Sequence, residues 1–217
     1  MTADVPIFQL PPARDRNPCA IVIDDDRDLR ESVGRLLRSA GLDSRLFASI
    51  ADFQKAGPLD SPTCLVLDVR MPGRSGLDFQ RELAAARSRV PIIFISGYAD
   101  VPMSVQAMKG GAIEFLTKPF RDQDLLDAVK VGLARDRERL DYEEALRGLR
   151  RRFESLTPRE RMILFEVAKG RPNKQIAGDV GITETTVKVH RSNMMRKIKA
   201  RSVAELCRMV DGLKSFP

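Results

Sequence analysis

Apolar residues in the first half of the chain gather into short runs at 19–23 (CAIVI), 63–67 (TCLVL), 92–95 (IIFI) and 113–116 (IEFL), with a weaker one from Leu42 to Phe47. Their length and their β-branched and aromatic content predict five strands. Between them the period changes to that of a helix: Leu29, Val33, Leu36 and Leu37, then Leu77, Phe79 and Leu83, then Val101, Val105 and Met108. Strands that alternate with helices imply a parallel sheet covered on both faces. In such a sheet the loops that follow the strand carboxyl ends converge on one crevice, where ligands bind.

From residue 122 the pattern is helical throughout, with Leu125, Leu126, Val129 and Leu133 at helical spacing. It runs on into RDRERLDYEEALRGLRRRFESL, which has no Pro and a single Gly, Gly148. Mixed charges at i, i+4 suit a long exposed helix that spaces two domains. Beyond it, "SLTPRERMILFEVAKG" starts a helix, with Thr157 as cap, Pro158 in the first turn and Glu160 three residues after the cap. A short helix over 173–180 follows, Gly181 makes a turn, Thr183 caps a third helix through about Lys197, and a fourth follows Ser202. Helix, tight turn, then a helix carrying Lys188, His190, Arg191, Arg196 and Lys197 is the sequence form of a helix-turn-helix. Ile176, Ala177, Ile182 and Val187 are its expected core.

Charge separates the two halves. Residues 1–131 hold 17 Lys and Arg against 18 Asp and Glu, residues 132–155 hold 7 against 6, and residues 156–217 hold 13 against 6. The whole net charge of +7 therefore lies near the C-terminus, which points to a polyanion as its partner and to nucleic acid first. No apolar run approaches the ~18 residues of a membrane span, and the start MTADVPIFQLPPARDRNP has neither a basic n-region nor an apolar h-region. A cytoplasmic protein that does not engage a membrane is the expectation. Cys19, Cys64 and Cys207 follow no metal or disulfide spacing. The Pro-rich residues 1–16 lack periodicity and are expected to be poorly ordered.

The candidate chemistry stands where the predicted strands end. Asp24, Asp25 and Asp26 follow the first run, Asp68 the third, Ser96 the fourth, and Lys118-Pro119 the fifth. Two like charges about 4 Å apart repel by about 4 kcal/mol at an effective dielectric near 20, so a triplet of carboxylates calls for a cation or for the solvation of an open loop. Two or three Asp residues make a partial shell for Mg2+, and Lys and Ser suit phosphoryl oxygens. An Asp nucleophile, a metal, a cation and a hydroxyl are the parts needed to phosphorylate a carboxylate.

Through "IVIDDD", "LVLDVRMPGRSG", "IFISG" and "EFLTKPF", residues 17–137 resemble the receiver domain of two-component response regulators, which implies a doubly wound, flavodoxin-like α/β fold. The resemblance implies that Asp68 accepts a phosphoryl group from a sensor histidine kinase. It also implies that Asp24, Asp25, Asp68 and the Arg70 carbonyl hold Mg2+, that Ser96 and Lys118 bind the phosphoryl group, and that Phe115 is the aromatic switch. Asp26 is left to the turn or the next helix N-terminus. The resemblance also implies that Arg70 and Tyr98 flank the path of hydrolytic water, at places that vary in the family and tune the phosphoryl lifetime. Residues 138–152 are read as a helical linker.

Residues 153–217, through "LTPRERMIL", "GRPNKQIAGDVGITETTVKVHRSNMMRKI" and "SVAEL", are similar to the small all-α LuxR-type DNA-binding domain of NarL/FixJ regulators. By position in that family, the resemblance implies that Lys188, Val189 and Ser192 face base edges, while Thr186, His190 and Arg191 meet phosphates. For His190 a packed or solvent-facing role is the alternative. Together the two resemblances imply a transcription regulator that dimerises through the 101–120 face when phosphorylated and binds double-stranded promoter DNA through the helix near 183–197. An Asp-nucleophile phosphatase would need a second acid where Arg70 stands. The alternative is a DNA-binding regulator whose receiver works without phosphorylation.

Overall fold

A computed structural model of the protein describes residues 17–57, 61–98 and 100–214, so the expectation for residues 1–16 lies outside the described residues. Five strands, β1 (Cys19–Ile23), β2 (Asp43–Phe47), β3 (Thr63–Asp68), β4 (Ile92–Ser96) and β5 (Glu114–Thr117), form one all-parallel sheet in the order β2-β1-β3-β4-β5. Five helices, α1 (Arg27–Ser39), α2 (Ile50–Lys55), α3 (Gly76–Ala85), α4 (Val101–Lys109) and α5 (Asp122–Glu154), alternate with the strands and follow the last of them. The strand period of two sorts the side chains: Ala20, Val22, Val66, Ile93 and Ile95 pack with Leu37 and Leu125 on one face. Ile21, Ile23, Leu65, Leu67 and Phe94 pack with Ile50 and Phe79 on the other. Every residue of β3 is buried, as expected of a central parallel strand.

β3 and β4 run one residue further than their apolar runs, so Asp68 and Ser96 are the last residues of their strands. The six-residue α2 is too short to show a helical period; its signal is the Ser49 cap, whose hydroxyl accepts from the Asp52 N–H at 3.1 Å. Asp26 caps α1, accepting from the Asp28 and Leu29 N–H groups at 3.0 and 3.2 Å. Asp136 of α5, 2% exposed, accepts from the Thr63 N–H and from Arg139, each at 2.8 Å, and so ties α5 to the start of β3.

The chain divides into two compact units between Asp141 and Tyr142. The second unit holds the end of α5 with α6 (Pro158–Ala168), α7 (Asn173–Val180), α8 (Glu184–Ile198) and α9 (Val203–Lys214). Ile163, Leu164, Ile176, Val187, Met194 and Leu206 centre its core, and Leu149 from α5 joins them at 2% exposure. Ala177 is buried there as well, with Ile182 packed against the cluster. At α6 the Thr157 hydroxyl accepts from the Glu160 N–H while the Glu160 carboxylate accepts from the Thr157 N–H, a reciprocal cap. Among the described residues no helix is long and apolar enough to cross a membrane.

Candidate functional site

The order β2-β1-β3 means that the chain leaves β1 to one side and later crosses to the other, which opens a crevice beyond the carboxyl ends of β1 and β3. Asp24 and Asp68 stand there, 0% and 7% exposed, with Asp25 exposed beside them. One carboxylate oxygen from each of the three lies within 4.8 Å of the others. Lys118, delivered by the end of β5, donates from Nζ to Asp24 Oδ2 at 2.7 Å and to Asp68 Oδ2 at 3.0 Å. The remaining oxygens are also engaged: the Asp26 N–H donates to Asp24 Oδ1 at 2.9 Å and the Arg70 N–H to Asp68 Oδ1 at 3.2 Å.

Burial raises the Asp24 carboxyl above its ordinary range, with the Lys118 bond pulling the other way. Burial would also lower the Lys118 ammonium, but its bonds to Asp24 and Asp68 outweigh that and hold it above the usual lysine value. Three carboxylates thus stand together with the Lys118 ammonium across two of them, and an all-oxygen set of this kind suits a hard, partly hydrated cation.

Ser96 ends β4 beside this cluster, but its hydroxyl is turned to Tyr98, donating to the Tyr98 carbonyl at 3.0 Å and accepting the Tyr98 N–H at 3.3 Å. The Lys118 N–H donates to the Ser96 carbonyl at 2.8 Å, which joins the two loops. Phe115 on β5 is half-buried, its ring 6.3 Å from that of Phe94. The Arg70 guanidinium lies 5.1 Å from the Tyr98 ring centre, a cation–π contact over exposed side chains. Gly76 opens α3 so close to β3 that a Cβ there would stand 2.4 Å from the Asp68 carbonyl oxygen. Arg30 is a member that spacing did not reveal: from α1 it donates to the Asp24 carbonyl at 2.5 Å and to that of Asp25 at 3.4 Å, bracing the acidic loop.

In the second unit Gly181 takes a left-handed φ of 69° between α7 and α8, the conformation that favours glycine, and Thr183 caps α8 by accepting the Thr186 N–H at 3.1 Å. Val187, Met194 and Ile198 face the core. The opposite stripe exposes Lys188, Val189 and Ser192, with Val189 at 55%. Thr186, His190 and Arg191 are half-buried beside that stripe. The Thr186 hydroxyl is 2.8 Å from that of Thr183, and Arg191 donates to Asn173 Oδ1 of α7 at 3.0 Å. Below the stripe, buried Glu160 accepts from Lys197 Nζ at 2.7 Å, a tie between α6 and α8.

Comparison with known proteins gives matches to each of the two units. Residues 20–130 match the family described as response regulator receiver domain, and residues 154–210 match bacterial regulatory proteins, luxR family. The chain is 48% identical over 192 residues to nodulation protein W of Bradyrhizobium diazoefficiens, covering 88% of this chain and 85% of that protein. It is 46% identical over 189 residues to the transcriptional regulatory protein FixJ of Azorhizobium caulinodans, covering 87% and 89%. The solved structure of response regulator StyR superposes with a TM-score of 0.83 at 46% identity, over 90% of this chain and 99% of that one.

Proposed function

This chain belongs to the two-component response regulators that join a receiver domain to a LuxR-type DNA-binding domain, and from that premise we propose that phosphorylation of Asp68 by a sensor histidine kinase switches DNA binding by α8. The family consists of transcription regulators rather than enzymes, and its two domains imply a sensor kinase and DNA as partners. A cytoplasmic location accords with both. The observation that carries the reading is the double bridge from Lys118 to Asp24 and Asp68, with Asp25 completing the acidic cluster.

In the transfer, a carboxylate oxygen of Asp68 attacks the phosphorus of a phosphohistidine. The P–O bond forms as the P–N bond breaks, and the electron pair stays on the imidazole nitrogen, which then takes a proton. Asp24, Asp25, Asp68 and the Arg70 carbonyl would hold Mg2+, which would neutralise charge on the carboxylates and on the incoming phosphoryl oxygens. Lys118 exchanges a carboxylate oxygen for a phosphoryl oxygen. Ser96 leaves the Tyr98 carbonyl for another, and Phe115 turns inward behind it.

These movements reshape the 101–120 face, where Val101, Val105 and Met108 are 75%, 43% and 45% exposed, and that face pairs with its twin. A dimer offers two copies of α8 to half-sites about one DNA turn apart. Lys188, Val189 and Ser192 then meet base edges, while Thr186, His190 and Arg191 meet phosphates. Phosphorylation can shift the equilibrium only by its differential interaction with the two states, so a small active population exists without it.

The test is intact-mass analysis with acetyl phosphate and Mg2+, followed by sizing and retardation of duplex DNA. The wild type gains one phosphoryl mass, dimerises and binds DNA more tightly, and Asp68→Asn does none of these. If Asp68→Asn responds like the wild type, the acceptor is misassigned. Equal DNA affinity with and without the donor favours the regulator whose receiver works without phosphorylation.

A further inference from the structure

We infer that Arg152, on the last turn of α5, is a positioning residue for DNA recognition: it caps the carboxyl end of α8 from outside the helix-turn-helix. The inference rests on the reading that α8 meets DNA. It concerns a residue that precedes the matched LuxR-family segment, which begins at residue 154.

The last carbonyls of any helix lack partners within it and need them from elsewhere. At the end of α8 the chain turns through Lys199, a non-glycine residue at a left-handed φ of 62°, so this terminus is not closed by the glycine such a turn prefers. The Ile198 carbonyl receives Arg152 Nη1 at 3.0 Å, across 46 residues of sequence. The same guanidinium donates from Nε to the Gly148 carbonyl at 3.2 Å, one turn back in α5, so its plane is held from both sides. A cation here also meets the partial negative charge of the α8 terminus.

The turn that carries Arg152 is itself anchored. Leu149 is 2% exposed in the core, and the Phe153 ring packs 5.9 Å from Phe165, with the Arg161 guanidinium 5.3 Å from its centre. From α6, Glu160 grips Lys197 at 2.7 Å, so two neighbouring helices clamp the same end of α8. Lys188 stands ten residues up α8 from Ile198, roughly 15 Å along the axis, so a tilt of about 4° about the clamped end moves it by about 1 Å. Polar recognition needs placement within about 0.5 Å, so a loose end is felt at the recognising residues.

The experiment uses the full chain with acetyl phosphate and Mg2+, and a duplex selected by the wild type from a random 30-base-pair pool. Arg152→Gln should lose about tenfold in affinity, equivalent to about 1.4 kcal/mol, with the same dependence on salt as the wild type. Arg152→Lys, which keeps the charge, should recover part of that loss. Amide hydrogen exchange in the last turn of α8, measured without DNA, should quicken in Arg152→Gln while the other helices keep their protection. Unchanged affinity overturns the proposal. So does a salt slope lower by about one unit, which would make Arg152 a direct phosphate contact. Unchanged exchange at the end of α8 overturns the cap even if the wild type binds no duplex, an outcome that would separately sink the DNA-binding reading.

Discussion

Replacing Lys118 by Met removes the ammonium that joins Asp24 and Asp68 and leaves both carboxylates in place. At 2.7 and 3.0 Å, with an effective dielectric near 20, each contact is worth about 6 kcal/mol of gross attraction. Burying three charged groups offsets most of that, and breaking one partner out of a buried pair costs about 3–5 kcal/mol in practice. The Lys118 side chain is 19% exposed, so water screens the site and the low end applies, about 3 kcal/mol. In metal-free buffer the receiver transition of Lys118→Met should therefore melt roughly 10 °C below the wild type by scanning calorimetry. Because its carboxylates hold the Lys118 proton more tightly in the fold than in the unfolded chain, this contribution is fully present below the usual lysine range. It is lost as pH rises through the raised value, so the gap should persist at neutral pH and close only in alkali. Adding Mg2+ should stabilise the variant more than the wild type, since no ammonium competes for the same oxygens. A variant as stable as the wild type without metal would refute the argument that these carboxylates need a cation.

Asp24→Asn tests the same charge balance from the other side. Burial holds the Asp24 carboxyl above its ordinary range, so its contribution is fully present below about pH 4 and is lost as pH rises through the raised value. The variant should accordingly melt above the wild type at neutral pH without metal, the gain should vanish on acidification, and the response to Mg2+ should fall; a neutral-pH loss of stability would contradict the sign. Gly76→Ala places a Cβ 2.4 Å from the Asp68 carbonyl oxygen and should cost about 1–3 kcal/mol. It should also slow phosphoryl uptake from acetyl phosphate, and normal melting with normal uptake would show that the approach of α3 to β3 is not as tight as described.

The crevice was legible because a parallel sheet turns a one-dimensional pattern into a shared edge: apolar runs mark the strands, and all their carboxyl ends lie together, so Asp24, Asp68 and Lys118 meet without any knowledge of distance, while the Ser96 hydroxyl, on the same edge, turns to Tyr98. Residue type carried that signal. Pair geometry carried none, because the partners of Lys118 lie 94 and 50 residues away and the choice between them is made only by packing. Arg30 was illegible for a related reason: it serves backbone carbonyls, which every residue has, so no residue type announces the contact. The end of α5 shows the opposite failure. Its many charges read as an exposed spacer, yet Leu149 and Phe153, four residues apart, bury one stripe in the second unit and bring Arg152 to the end of α8. At both places a cation closes a junction between elements distant in sequence, Lys118 between two strand ends and Arg152 between two helix ends. A substitution that keeps the pattern of apolar residues but removes either cation should therefore preserve the fold and change what the site does.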